Sequence, residues 1–143
     1  MQPNRRSIIL ASVLLLALVG ANHFVSKAQD DQDRLAVGKG NGTLRVGENK
    51  FKLTSVIVKL MQDRKAEVTL VSDITVFMNA TWSNHAESPH EFDLQITGTE
   101  SRIGLDGTGK VVLSDDGKSV ARLTLKGVSR TTQRSVEANF EGK

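Results

Sequence analysis

The feature that most constrains this chain is a two-residue alternation of apolar and polar side chains. Ala66, Val68 and Leu70, for example, alternate with charged and hydroxyl residues. Successive side chains of a β-strand point to opposite faces, so each such run predicts a strand with one buried and one solvated face. The pattern recurs over residues 43–46, 73–79, 91–97, 121–126 and 136–141. No segment after residue 28 sustains the spacing of an amphipathic helix.

Turn-forming sequences separate these runs, over residues 47–49, 62–64, 106–107 and 114–117. About eight or nine short strands at this spacing are typical of an all-β domain. We expect an antiparallel β-sandwich. The alternative is a small lipocalin-like up-and-down barrel.

One predicted strand changes its facing part-way along. Phe51 and Leu53 share one parity, whereas Val56, Val58 and Leu60 have the other. A bulge near residues 54–55 would bring all five to one side, because one extra residue reverses the facing of a strand. The alternative is a fully buried central strand.

The N-terminus has the pattern of a secretory signal peptide over residues 1–28. Arg5 and Arg6 precede an apolar run over residues 8–20, and small residues end at Ala28. The run is too short to cross a ~30 Å hydrocarbon core as a helix. We therefore expect cleavage after Ala28, or at the earlier small-residue site after Ala21, and a secreted or periplasmic protein. Residues 29–40 are predicted to be a flexible polar lead-in and residues 41–143 a single β domain.

The charge balance follows from that cleavage. Removing residues 1–28 takes Arg5, Arg6 and Lys27 with it, so the formal net charge falls from +3 to zero. A neutral domain lacks the excess of Lys and Arg that nucleic-acid binding needs. We expect an unknown protein or small-molecule partner, no nucleic acid, and no membrane association after cleavage.

The loop over residues 84–93 is a candidate metal site. His85, Glu87 and His90 could supply imidazole and carboxylate ligands to zinc or copper. Their spacing matches no closed tetrahedral motif, and Pro89 restrains the backbone between the two histidines. A solvated connection is the competing interpretation, and we expect no bound cofactor.

The sequence offers little for catalysis. Gly104–Lys110 has the spacing of a phosphate-binding loop, but Val111 stands where a Ser or Thr would contact magnesium and a predicted strand follows instead of a helix. The chain contains no cysteine and no tyrosine, which removes common nucleophiles and acid–base groups. We expect a protein that is not an enzyme.

Two aromatic residues are the candidate ligand contacts. Trp82 follows a predicted strand and could line a ligand mouth or anchor the core. Phe77 lies on the polar face of its strand, which indicates a second packed surface or an exposed contact. We therefore expect an exported binding or interaction module. The alternatives are a small barrel that binds an apolar ligand, with Phe77 and Trp82 near its mouth, and a weak metal-binding protein that uses the 84–93 loop.

Overall fold

The computed structural model describes residues 32–99 and 104–143. This part of the chain forms eight β-strands: β1 (Arg34–Val46), β2 (Asn49–Leu60), β3 (Lys65–Val71), β4 (Thr75–Asn84), β5 (Glu91–Thr99), β6 (Leu105–Leu113), β7 (Val120–Ser129) and β8 (Ser135–Gly142). The predicted signal peptide lies outside the described residues. Within them, no helix is long and apolar enough to span a membrane.

The strands form a closed antiparallel barrel in which each strand pairs with the next and β8 pairs with β1. The expectation of a β-sandwich is therefore wrong, and the barrel alternative is confirmed. Alternation alone does not separate the two folds, since both have one buried face per strand. The closing contact joins Gly40–Val46 to Val136–Gly142. A Cβ at Gly42 would overlap the carbonyl oxygen of Asn139, so glycine lets these two strands meet.

β1 begins at Arg34, inside the segment 29–40 that was predicted to be a flexible lead-in. Ala36 and Gly38 point inward and are buried, whereas Leu35 and Val37 are exposed. Residues 34–39 pair with β2 on one side, and on the other side the Val37 amide donates to the Lys118 carbonyl. Because the inward residues are small, the hydrophobic pattern here is weak, and the start of this strand could not be predicted from it.

The barrel interior is an apolar core, as expected for a barrel of this strand number. Its residues come from all eight strands, and the largest fully buried side chains include Phe92, Phe140, Leu44, Leu53, Leu60, Leu70 and Leu123. The reversal of facing in β2 is confirmed, because Leu53, Val56, Val58 and Leu60 are all buried and Phe51 is half-buried. The register shift lies between Lys39 and Gly42 of β1, opposite residues 53–55 of β2.

Two local predictions fail in β6 and β7. Residues 106–107, predicted to be a turn, lie within β6, where Gly107 pairs with Gly127. Ala121, predicted to face the core, is exposed and Val120 is buried in its place. A register shift between Val112 and Leu113 reverses the facing at that point.

The up-and-down topology gives the barrel two ends. One carries the β2–β3, β4–β5 and β6–β7 turns and is named here the Trp82 end. The other carries the β1–β2, β3–β4, β5–β6 and β7–β8 connections and is named the Arg134 end. The two ends differ in the size of the side chains that pack against the core there.

Candidate ligand-binding site

A cavity of about 290 Å³ opens into the core at the Arg134 end. Its apolar wall residues come from the ends of strands and from the β3–β4 turn: Val46, Ile74, Val76, Met78, Leu105 and Val136. None of its described lining residues is aromatic. A concave, mostly apolar pocket with a few polar groups is the usual form of a small-molecule site.

Strand alternation positions these walls. Val46 and Val136 are directly paired across the β1–β8 seam, and Met78 and Val76 lie two residues apart on the inner face of β4. Met78 and Leu105 are buried, at 3% and 2% exposure, whereas Val46, Val76 and Val136 are only partly buried. Val46, Val76 and Val136 are thus partly buried at this edge of the core, as is Phe51 near the start of β2.

The polar groups of the cavity are Thr99, Ser129, Thr132 and Arg134. Ser129 is the buried polar residue of the described structure, at 6% exposure, and its Oγ accepts a bond from the Thr132 amide at 3.3 Å. The Ser129 amide donates to the Arg134 carbonyl at 2.9 Å. These bonds shape the β7–β8 turn and leave the Arg134 side chain exposed at the rim.

A second arginine of the same turn is neutralised. Arg130 Nε donates to Asp106 Oδ2 at 2.8 Å, and Nη2 donates to Oδ1. This bidentate pair lowers the pKa of the Asp106 carboxyl below its ordinary value, chiefly through the hydrogen bonds from Arg130. Arg134 forms no ion pair with any carboxylate of residues 32–99 or 104–143.

The structure places Trp82 at the opposite end, away from this cavity. Its indole Nε1 donates to the Met61 carbonyl at 2.8 Å, and its ring meets Phe92 edge-on with centroids 5.6 Å apart. The Arg64 guanidinium lies 4.3 Å from the ring centroid, within cation–π range. Trp82 therefore packs at the Trp82 end with its polar edge bonded and its ring partly buried, and it also lines the wider groove on the outer wall.

Phe77 points outward near the start of β4 and is 48% exposed. Strand register places it beside Thr69, then Ile57 and then Val37 on successive strands. Val37 is 39% exposed. We call Val37, Ile57 and Phe77 the outer apolar row. Phe77 and Trp82 lie on opposite faces of β4, so the structure does not bring them together at one mouth.

In the 84–93 loop, the side chains that contact one another are not the set His85, Glu87 and His90 proposed as metal ligands. His85 Nδ1 lies 2.9 Å from Asp93 Oδ2, and Glu91 pairs with Lys110 at 2.8 Å. Hydrogen bonding from Lys110 lowers the pKa of the Glu91 carboxyl. Glu87 and His90 are not part of this cluster, and the described residues hold no group of three or more ligands able to bind a metal.

A wider groove of about 550 Å³ crosses the outer face of β4–β7. Its outward side chains are polar, among them Thr81, Asp93, Gln95 and Lys110. Several are already engaged, since Gln95 Nε2 donates to the Gly107 carbonyl at 3.0 Å and Asp93 is bonded to His85. The groove is larger than the cavity at the Arg134 end, but it is more open and more polar, and three of its polar side chains, Asp93, Gln95 and Lys110, are already bonded.

Comparisons with known proteins give no family or functional analogy: the chain matches no protein-family model, no curated protein and no solved structure. The case for a site therefore depends on its geometry. Sequence reasoning placed Val46, Val76, Met78 and Val136 on inner faces but did not identify them as a site. Arg134 carried no sequence signal, because its role depends on the turn that sets it at the rim.

Proposed function

We propose that this protein is an exported, non-catalytic barrel that binds a small apolar ligand at its Arg134 end. The observation that carries the proposal is the row of half-buried valines facing an apolar cavity of about 290 Å³. Covering such surface is favourable by roughly 25 cal/mol per Å² of apolar area removed from water. A bound ligand would cover the apolar surface at the Arg134 end, as Trp82 and Phe92 cover it at the other end.

The size of the cavity limits the ligand. At ~30 Å³ per non-hydrogen atom, the volume that a water molecule takes in the liquid, about ten such atoms fit. A short alkyl chain or a single substituted ring has this size. Hydroxyl groups of Ser129 and Thr132 and the guanidinium of Arg134 can orient the polar end of such a molecule.

A titration with 1-octanol tests the proposal. We expect saturable binding to the full-length or processed protein with a Kd on the order of 0.1 mM, measured by calorimetry. Val136→Phe fills the cavity and should abolish binding. Val128→Phe is the matched control, because Val128 lies on the outer face near the same end and is 43% exposed.

The result that overturns the proposal is equal binding by wild type and Val136→Phe, or no saturable binding by wild type. Thermal melts of both variants establish that each is folded under the titration conditions. A folded Val136→Phe variant that no longer binds octanol, beside a Val128→Phe variant that does, supports the proposal.

An interaction module is the second candidate, favoured by the outer apolar row. Phe77 presents 48% of its surface to solvent on the outer face of β4, and Leu35, near Val37 on β1, is 60% exposed. Monomeric proteins usually keep such patches small. Phe77→Ser separates the two functions, because it removes the most exposed aromatic side chain of the row and leaves the octanol cavity intact.

A further inference from the structure

We infer that the ligand of the Arg134 end carries an anionic head group on its short apolar body. This inference rests on the proposed function and goes beyond it by naming the class of ligand. The observation behind it is that two arginines of the same β7–β8 turn differ in their ion pairing: Arg130 has a carboxylate partner and Arg134 has none among the described residues.

Arg130 has its counter-ion. Both nitrogens that face Asp106 are bonded to the two oxygens of that carboxylate. The pair lies outside the cavity, and neither residue lines it. The Arg130 guanidinium is therefore engaged with a residue of the barrel wall and is not available to form a bidentate pair with a ligand.

Arg134 lines the cavity and has no counter-ion among the described residues. Its side-chain stem lies over the β1–β2 turn, where a Cβ at Gly47 would be 3.5 Å from Arg134 Cδ. Gly47 has a φ of +59°, a conformation that L side chains rarely adopt. The stem thus lies beside the β1–β2 turn, close to Val46, and the guanidinium is at the rim of an apolar mouth.

The guanidinium fork matches a carboxylate or phosphate with two parallel hydrogen bonds. The Thr132 side chain lines the same rim and can add a hydroxyl donor. An anion at Arg134 places an attached chain among Val46, Val76 and Val136, where it covers their exposed surface. The combination fits a medium-chain amphiphile with a single anionic head.

Competitive titration of octanoate and 1-octanol tests the inference. We expect octanoate to bind wild type about tenfold more tightly than octanol, with a preference that weakens as salt is added. Arg134→Gln should bring the two affinities together. Arg130→Gln, the matched control, should leave the preference unchanged, because Arg130 faces Asp106.

The outcomes separate the inference from the proposed function. If octanol binds as tightly as both octanoate and octyl phosphate, or Arg134→Gln keeps the preference for the anion, the inference fails while the cavity still binds apolar ligands. If neither compound binds wild type, the proposed function fails. Arg134→Lys tests the same point should the glutamine variant not fold, since it keeps the charge and should keep part of the preference.

Octyl phosphate distinguishes the two oxyanions. Tighter binding of either octanoate or octyl phosphate than of octanol supports the inference, and their order identifies the head group. Weaker binding of both anions than of octanol overturns it.

Discussion

The two ends of the barrel are made from the same alternating strands, yet they finish in different ways. At the Trp82 end, large aromatic side chains fill the last layer: Trp82 and Phe92 pack edge to face, and Arg64 covers the indole. At the Arg134 end, Val46, Val76 and Val136 are smaller and partly buried, and a cavity of about 290 Å³ lies beside them among the described residues. Eight strands leave an interior just wide enough for side chains to fill, so the volume of the side chains at each end affects how completely the described residues fill it.

The first prediction concerns stability at the two ends and has the largest expected effect. Trp82→Ala should lower the free energy of unfolding by about 3 kcal/mol, because it removes a packed ring and leaves a cavity. Val136→Ala should cost about 1 kcal/mol or less, since its side chain is only partly buried. Urea unfolding of both variants measures the difference. Equal losses would break the distinction between a closed and an open end.

A second prediction enlarges side chains instead of removing them. Val58→Phe should cost about 1–3 kcal/mol, because Val58 is fully buried in a filled part of the core. Val136→Phe should stay within about 0.5 kcal/mol of wild type, since the new ring enters open space at the Arg134 end. Thermal or urea unfolding checks both. A large loss in Val136→Phe would show that the cavity is not available to a larger group.

The third prediction sharpens the account of the Trp82 end. Arg64→Ala should cost roughly 0.5–1 kcal/mol, the usual value of a cation–π contact at an exposed site. Arg122→Ala is the control, because Arg122 is an exposed strand residue whose nearest carboxylate, on Glu141, is 3.9 Å away. Equal melting temperatures for the two variants would remove the guanidinium from the list of groups that close this end.

The sequence predicted the facing of the strands better than it predicted how the strands close into a barrel. Alternation correctly assigned the inner faces of most strands, and it also gave the reversal at Leu53 and Val56. It could not separate sandwich from barrel, because closure depends on the pairing of Gly42 with Phe140 across nearly the whole chain. It likewise missed the start of β1, where small inward residues give no strong pattern.

The candidate site was less predictable than the fold. Trp82 and Phe77 were chosen as ligand contacts for their chemistry, and the structure places one in a closed end and the other on the outer wall. The histidine loop joins His85 to Asp93, a residue beyond the predicted ligand set. A site at the end of a barrel depends on which strand ends lie at the same height along the barrel axis. The alternation of apolar and polar residues along the sequence does not give that height.

The fourth prediction concerns acid and has the smallest expected effect. Asp106 has a lowered pKa in the folded state because Arg130 binds its ionised form. Its contribution to stability is therefore present above the ordinary pKa of 3.8 and is lost as pH falls below that value toward the lowered one. Asp106→Asn should flatten the acid dependence slightly, as followed by melts between about pH 5 and 2.

Asp115→Asn is the matched control for that measurement. Asp115 is an exposed aspartate of the β6–β7 turn and has no ion-pair partner in the described part of the chain. A change in the acid dependence of Asp115→Asn equal to that of Asp106→Asn would contradict a specific role for the Arg130 pair.

An NMR titration of the isotope-labelled protein with octanoate tests the central claim most directly. The chain has one tryptophan, so the Trp82 indole N–H gives a single resolved reporter for the closed end. The account predicts saturable shifts of the Val46, Val76 and Val136 methyl signals, with the indole signal unchanged. Shifts centred on the Trp82 indole, or no shift of the three valines at saturating octanoate, would contradict it.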